Sequence, residues 1–212
     1  MAVASFEHAA AQVAAVWRMA RGRADWADRL ATSPGDAALS FSALIYATPF
    51  FIIGFDGAFR LANASPKAPL QLAELGSRNF IVIQLVARVA EWLVGAGALT
   101  AFARGMGIGE RTPTIVTSYN WAQFMNAAAF SIVLFMATFM QLTTGSMASA
   151  ILVVGLFAFP ALAIQFLLIW GVLRRGFERS VADTITLFAA LVAANLAVAA
   201  FVGAFVSAFL DG

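Results

Sequence analysis

Cysteine is absent from this 212-residue chain, and histidine occurs once, at position 8. Without thiols there are no disulfides, thiolate metal sites or cysteine nucleophiles. A single histidine near the start leaves the apolar part of the chain without a Ser-His-Asp triad or a histidine-based metal site. Charge is scarce too: charged residues make up 11% and net to +2. So small a surplus gives no reason to expect a nucleic-acid partner. Tyrosine occurs twice, against twenty phenylalanines, which fits lipid-facing surface better than a hydrogen-bonded soluble core. The spaced glycines of Arg104-Gly105-Met106-Gly107-Ile108-Gly109-Glu110-Arg111 have the look of a dinucleotide loop. That motif needs a preceding strand and a βαβ unit. Here an apolar helix precedes it, so the segment reads as a flexible turn. No catalytic residue, cofactor or metal is expected. The first basic residues follow the apolar ones, so no removable signal peptide is expected either.

What the chain has in quantity is apolar residues, 62% of the total. Soluble domains sit near half apolar and a quarter charged, so this is a membrane protein. The expected fold is all-α and polytopic. A bundle of five transmembrane helices fills 36–212, with spans at about 37–55, 80–102, 114–140, 147–170 and 181–210. An amphipathic interfacial segment, 1–35, precedes it. In that segment Val3, Phe6, Ala10, Val13, Trp17 and Ala20 recur at helical spacing, with Arg18, Arg21 and Arg23 at the end. Two readings stand for it: a basic membrane-surface anchor, or a cap packed on the ends of the bundle. Trp26 and Leu30 suggest a further short turn.

The stretch that constrains the rest is FIVIQLVARVAEWLVGAGALTAF, residues 80–102. It is long enough to cross a hydrocarbon core of about 30 Å. At ~1.5 Å per residue, Arg88 falls about 12 Å beyond Phe80, close to the midplane. Gln84, Arg88 and Glu91 lie at i, i+4 and i+7 on one face. A charge at that depth costs at least ~2.5 kcal/mol unless it finds a partner or water. The stripe is therefore expected to face inward. Two readings stand for it: an Arg88–Glu91 ion pair with amide partners that fixes helix register, or, since Arg before Glu is the weaker order within one helix, partners on other helices, with Asn120, Asn126 or Asn195 completing the set.

Smaller signals punctuate the other spans. Ser33-Pro34-Gly35-Asp36 has the form of a capped helix start. Pro49 predicts a kink, and Asp56-Gly57 an exit from the first span. In the polar loop that follows, broken by Pro66 and Pro69, Leu70 to Leu75 suggest a short interfacial helix. Asn120, Gln123 and Asn126 occupy one side of the third span, with Tyr119 and Trp121 read as interface markers. The fourth span holds Pro160 and Gln165 and ends at the basic turn Arg174, Arg175 and Arg179. In the fifth, Ala189, Ala193 and Ala197, then Ala199, Gly203 and Ser207, form small-residue faces for close helix contact. Asn195 is expected to hydrogen-bond to a neighbouring helix. The motif Asn63-Ala64-Ser65 matches a glycosylation acceptor by chance composition.

These features together carry a family likeness. The basic amphipathic start, five spans, glycine-containing second loop and basic turn before the fifth span resemble the Yip1-like membrane proteins. The segment WGVLRRGFERSVADTITLFAALVAANL is most similar to that family's last two helices. The Asn120-Trp121 pair opening the third span is similar to one in small proteobacterial proteins of the same layout. The resemblance implies a bacterial inner-membrane organiser, adaptor or accessory subunit, with no catalytic residues. Its partners would be the lipid bilayer and other membrane proteins, or further copies of itself, met through the small-residue faces. A small proton- or solute-coupled transporter or channel is the alternative. It would use Gln84, Arg88 and Glu91 with Asn120, Gln123, Asn126, Gln165 and Asn195, and Pro49 and Pro160 as helix breaks.

Loop charge gives an orientation. Arg18, Arg21, Arg23, Arg29, Arg104, Arg111, Arg174, Arg175 and Arg179 fall on one side, and Arg60, Lys67 and Arg78 on the other. The richer side is expected in the cytoplasm, with the N-terminus in and the C-terminus out. A phosphatase fused after Gly212 is then active in the periplasm, and GFP at the same point stays dark. The reverse pair of signals overturns the orientation.

Overall fold

The computed structural model of the chain describes residues 3–65 and 70–210, with side chains for 3–65 and 74–204. Every regular element among them is helical. Five stretches, Pro34–Asn63, Glu74–Gly105, Gly109–Thr144, Met147–Gly176 and Val181–Ala204, are long and apolar enough to cross a bilayer. The all-α polytopic expectation therefore holds. Lys67, Pro66, Pro69, Gly212 and the side chain of Ser207 lie outside the described residues.

Helix α1 (Phe6–Ala20) starts at Ser5, whose hydroxyl accepts from the His8 amide. Its buried face is Ala9, Gln12, Ala15, Val16, Met19 and Ala20; of the stripe read from the sequence, Ala20 is buried, Val13 and Trp17 are partly so, and Ala10 is exposed. Phe6, at 78% exposure, and Val3 point away from the protein. The reason is size. Small side chains let α1 sit close against α5 (Thr112–Thr144) and α6 (Met147–Gly171), its two main partners among the spanning helices. A Cβ on Gly171 would lie 2.6 Å from Ala20 Cα, so only glycine permits this approach. The Gln12 side chain accepts from the Ala31 amide at 3.0 Å and ties down the loop that follows.

The first span departs from expectation in three ways. It begins as a short helix, α2 (Pro34–Ser40), with the capping box of Ser33 and Asp36 in place. It breaks at Phe41, and α3 (Ser42–Asn63) then runs on without interruption at Pro49. Asp56-Gly57 does not end it either. Asp56 accepts from Arg60 Nε at 2.6 Å and from Ser77 at 2.9 Å, so its charge is met inside the helix. Gly57 packs against Thr138 and Leu134 of α5. In hydrocarbon a backbone that left the helix would find no water, so continuation is favoured.

Helix α4 (Leu70–Gly105) carries a break at Gly76, where φ is 75°, a value glycine tolerates. The break separates a short first turn, at the place expected for an interfacial helix, from the long span. Helix α5 ends at Gly145 in the left-handed conformation and α6 starts at once, its cap Ser146 accepting from the Ser149 amide. The loop expected over 141–146 is therefore two residues. Pro160 lies exposed within an unbroken α6, and the irregularity comes later, as a π turn over Val172–Gly176.

Helix α7 (Val181–Leu210) packs mainly on α4, and its buried side chains are Thr184, Leu187 and Leu191. Its faces of Ala189, Ala193 and Ala197, and of Ala199 and Gly203, are exposed. The close contacts expected of them are not made within this chain.

The nine arginines assigned to one side gather at the end of the bundle that α1 covers. Arg175 donates to the carbonyls of Met19 and Ala20, Arg179 to that of Met106 at 2.8 Å, and Arg111 to that of Gly176. Carbonyls left over at helix C-termini are thus bonded by guanidinium groups. Arg111 also pairs with Glu178 at 2.6 Å. Gly171→Leu should force α1 off the bundle and lower the melting temperature in detergent. Gly155→Leu, where nothing lies within 4 Å, should leave it unchanged. Equal melting temperatures for the two variants would contradict this packing.

Candidate functional site: a polar hollow at mid-membrane

Of the polar side chains expected inside the bundle, Asn120 is the best satisfied. It is fully buried. Its Oδ1 accepts from Trp92 Nε1 at 2.7 Å, and its Nδ2 donates to Ser40 Oγ at 2.8 Å. Ser40 in turn donates to the Ala37 carbonyl at 2.7 Å. Asn120 therefore joins α2, α4 and α5, and does not complete a set with Arg88 and Glu91. The residues beside it are buried as well. Trp121 packs on Tyr46 and Phe124, and Tyr119 Oη fills the space beside Gly95, where a Cβ would sit 2.0 Å away. Both aromatics read as interface markers are thus core residues, because α1, α2 and α4 cover the face they occupy.

Arg88 and Glu91 pair with each other, at 2.6 Å on the same helix. Of the two readings of the stripe, the geometry is that of the ion pair within one helix, and not of partners on other helices. The stripe is not wholly inward either: the Arg88 side chain is 50% exposed and that of Glu91 17%. A three-residue step lets the long guanidinium reach the carboxylate directly, which outweighs the weaker sequence order. Gln84, one turn before Arg88, is partly buried.

One turn beyond Asn120 the bundle opens. Gln123, Asn126 and Ser131 of α5, Arg88 of α4, Gln165 of α6 and Phe51, Gly54 and Phe55 of α3 enclose about 270 Å³. A second space of about 380 Å³ lies between α5, α6 and α7, walled by Leu162, Phe166, Ile169, Phe188 and Leu191. Gln123 and Gln165 border both spaces, and Asn195 borders the second. They are two lobes that share this pair of carboxamides, the second opening at the bundle surface where Leu162 and Phe166 are half exposed. Asn126 and Asn195 sit near the middle of their helices, which places the hollow near mid-membrane.

The polar groups here are under-satisfied. Asn126 is only 5% exposed, and neither its Oδ1 nor its Nδ2 has a hydrogen-bond partner. Asn195 Oδ1 is buried without one, against the expectation of a bond to a neighbouring helix. Each such group costs about 1–3 kcal/mol when left dry. Ser131 is the exception, donating to the Phe50 carbonyl at 2.6 Å. No family model, curated protein or solved structure matches this chain. Its function has to be argued from this geometry.

The hollow unites five residues expected from the sequence, Arg88, Gln123, Asn126, Gln165 and Asn195. Glu91 adjoins them through Arg88, Gln84 borders neither lobe, and Asn120 belongs to the separate joint. Sequence reasoning missed Ser40, Trp92 and Ser131. Trp92 follows Arg88 by four residues, but an indole in an apolar run gives no sign by type alone that its N–H is bonded within the bundle. Arg174, Arg175 and Arg179, read as membrane-surface residues, all donate to backbone carbonyls. Arg18 pairs with Asp25 at 2.6 Å, while Arg21 and Arg23 are exposed.

The two asparagines of α5 are expected to respond differently to substitution. Asn120→Leu strands the Trp92 N–H and should cost ~1–3 kcal/mol. Asn126→Leu removes no bond and should be near neutral or stabilising. Equilibrium unfolding of the two variants in one detergent checks this, and a larger loss at Asn126 would contradict it.

Proposed function

We propose that this chain is a non-enzymatic multi-pass membrane protein that works by helix–helix association, as a membrane organiser or accessory subunit of the Yip1-like kind. The observation that carries the reading is the state of α7. It is held to the bundle along one narrow face, and its small-residue faces stay open. Beside them a groove of about 910 Å³ runs between α4 and α7. It is lined only by valine, isoleucine, alanine and phenylalanine, with Ala90, Ala194 and Ala197 among them. Between helices in lipid there is no hydrophobic drive, so association depends on close backbone approach at small residues.

The occupant we assign to this groove is α7 of a second copy. The same helix offers both the small faces and a bulky side chain, Phe201, so a two-fold pairing places each where the other fits. The bacterial inner membrane, with the arginine-rich end in the cytoplasm, is the setting this reading takes from the loop charges. A second reading, a small proton- or solute-coupled transporter or channel, is favoured by the mid-membrane hollow.

Because the chain has no cysteine, Ala197→Cys introduces one thiol per copy. Oxidation in intact membranes should yield a disulfide-linked dimer. Ala163→Cys, exposed on α6 away from the groove, should not. No dimer from Ala197→Cys, or equal dimer from both, would count against self-association through α7.

A further inference from the structure

We propose that the two-lobed hollow binds a small uncharged solute carrying both hydrogen-bond donors and acceptors, of the simple amide, urea or polyol class. This goes beyond the association reading and does not depend on it. The first support is Asn126. Its carboxamide is buried beyond nine-tenths, lines the α3–α5 lobe, and has no partner on either atom. Left alone, such a group is a defect. With a ligand or water beside it, it is a binding group.

The lining chemistry selects the ligand. Gln123, Asn126, Gln165 and Asn195 are all carboxamides, each able to donate and to accept. A ligand that only accepts, or only donates, would leave half of that capacity unmet. Charge selects further. The one cation at the hollow, Arg88, is already neutralised by Glu91 at 2.6 Å. An anion or a cation entering would therefore bring an uncompensated charge to mid-membrane, where it is strongly disfavoured. Size agrees: an apolar cavity of roughly 150 Å³ holds a benzene-sized molecule, and the lobes are about 270 and 380 Å³.

The lobes are also offset along the membrane normal. On α5 the first runs from Gln123 to Leu134, about 16 Å at ~1.5 Å per residue, toward the end away from the arginines. On α7 the second runs from Phe188 to Asn195, about 10 Å, on the arginine side. Gln123 and Gln165 are the side chains that line both. These two side chains are the selectivity point of the site.

Acetamide, urea and acetate serve as probes, with the full-length protein in nanodiscs and binding read by saturation-transfer NMR. Acetamide and urea should bind saturably and compete with each other, and acetate should not bind. Asn126→Leu and Gln165→Leu, on different helices, should each weaken acetamide by about tenfold or more, the loss of one to two hydrogen bonds. Should Asn126→Leu fail to fold, Gln165→Leu carries the comparison. Acetate binding as well as acetamide, acetamide unaffected by Gln165→Leu, or a hollow that takes up water alone would each overturn the proposal. The dimer expected from Ala197→Cys is unaffected by any of these results, so the two readings fail separately.

Discussion

The interaction on which the rest of the bundle depends is the hydrogen-bonded chain Trp92, Asn120, Ser40 and the Ala37 carbonyl. In lipid, apolar side chains gain nothing by leaving hydrocarbon for a protein interior that is equally apolar. Helices are registered instead by directional bonds and by close contact at small residues. Asn120 supplies both bonds of a joint between three helices. Its carbonyl is used by α4 and its amide by α2, so neither atom is spare. Around it Leu99, Ile115, Tyr119, Trp121 and Leu168 are fully enclosed. The short α2 and the break at Phe41 follow from the same bond, because α2 has to turn Ser40 toward α5 before α3 can continue.

A second constraint closes that end. Every spanning helix finishes with carbonyls that lack an internal partner. Here the ends of α1, α4 and the π turn meet, and Arg175, Arg179 and Arg111 take up their carbonyls. The π turn brings Arg174 and Arg175 into reach, and Glu178, with φ 49°, is held by its pair with Arg111. The arginines that set an orientation by their number thus also fasten α1 to the bundle. A charge-biased end and a structurally clamped end are one feature.

How far this could be read from sequence depends on the range of the cause. Local causes were legible. The Ser33–Asp36 capping box, the apolar length of five spans and the short first turn of α4 all rest on residues within a few positions of each other. The helix breakers misled. Pro49, Pro160 and Asp56-Gly57 end helices in water, where freed backbone is solvated, and here they do not. Tyr119 and Trp121 carry the residue types of an interface belt, and only the helices packed over them bury them. The hollow was half legible. Arg88, Gln123, Asn126, Gln165 and Asn195 stood out as polar residues in apolar runs, but their convergence depends on the rotation of four helices. The joint at Asn120 was hidden, since Ser40 lies 80 residues away.

The tight and the loose parts of the molecule have a common origin. Near α1, glycine and alanine are spent on contact: Gly171 against Ala20, and Gly95 against Tyr119. There the backbones approach and no space remains. Past Gln123, α7 is held by Thr184, Leu187 and Leu191 near its start, while its later small residues face outward. The groove beside α4 and the second lobe beside α5 and α6 both border this helix.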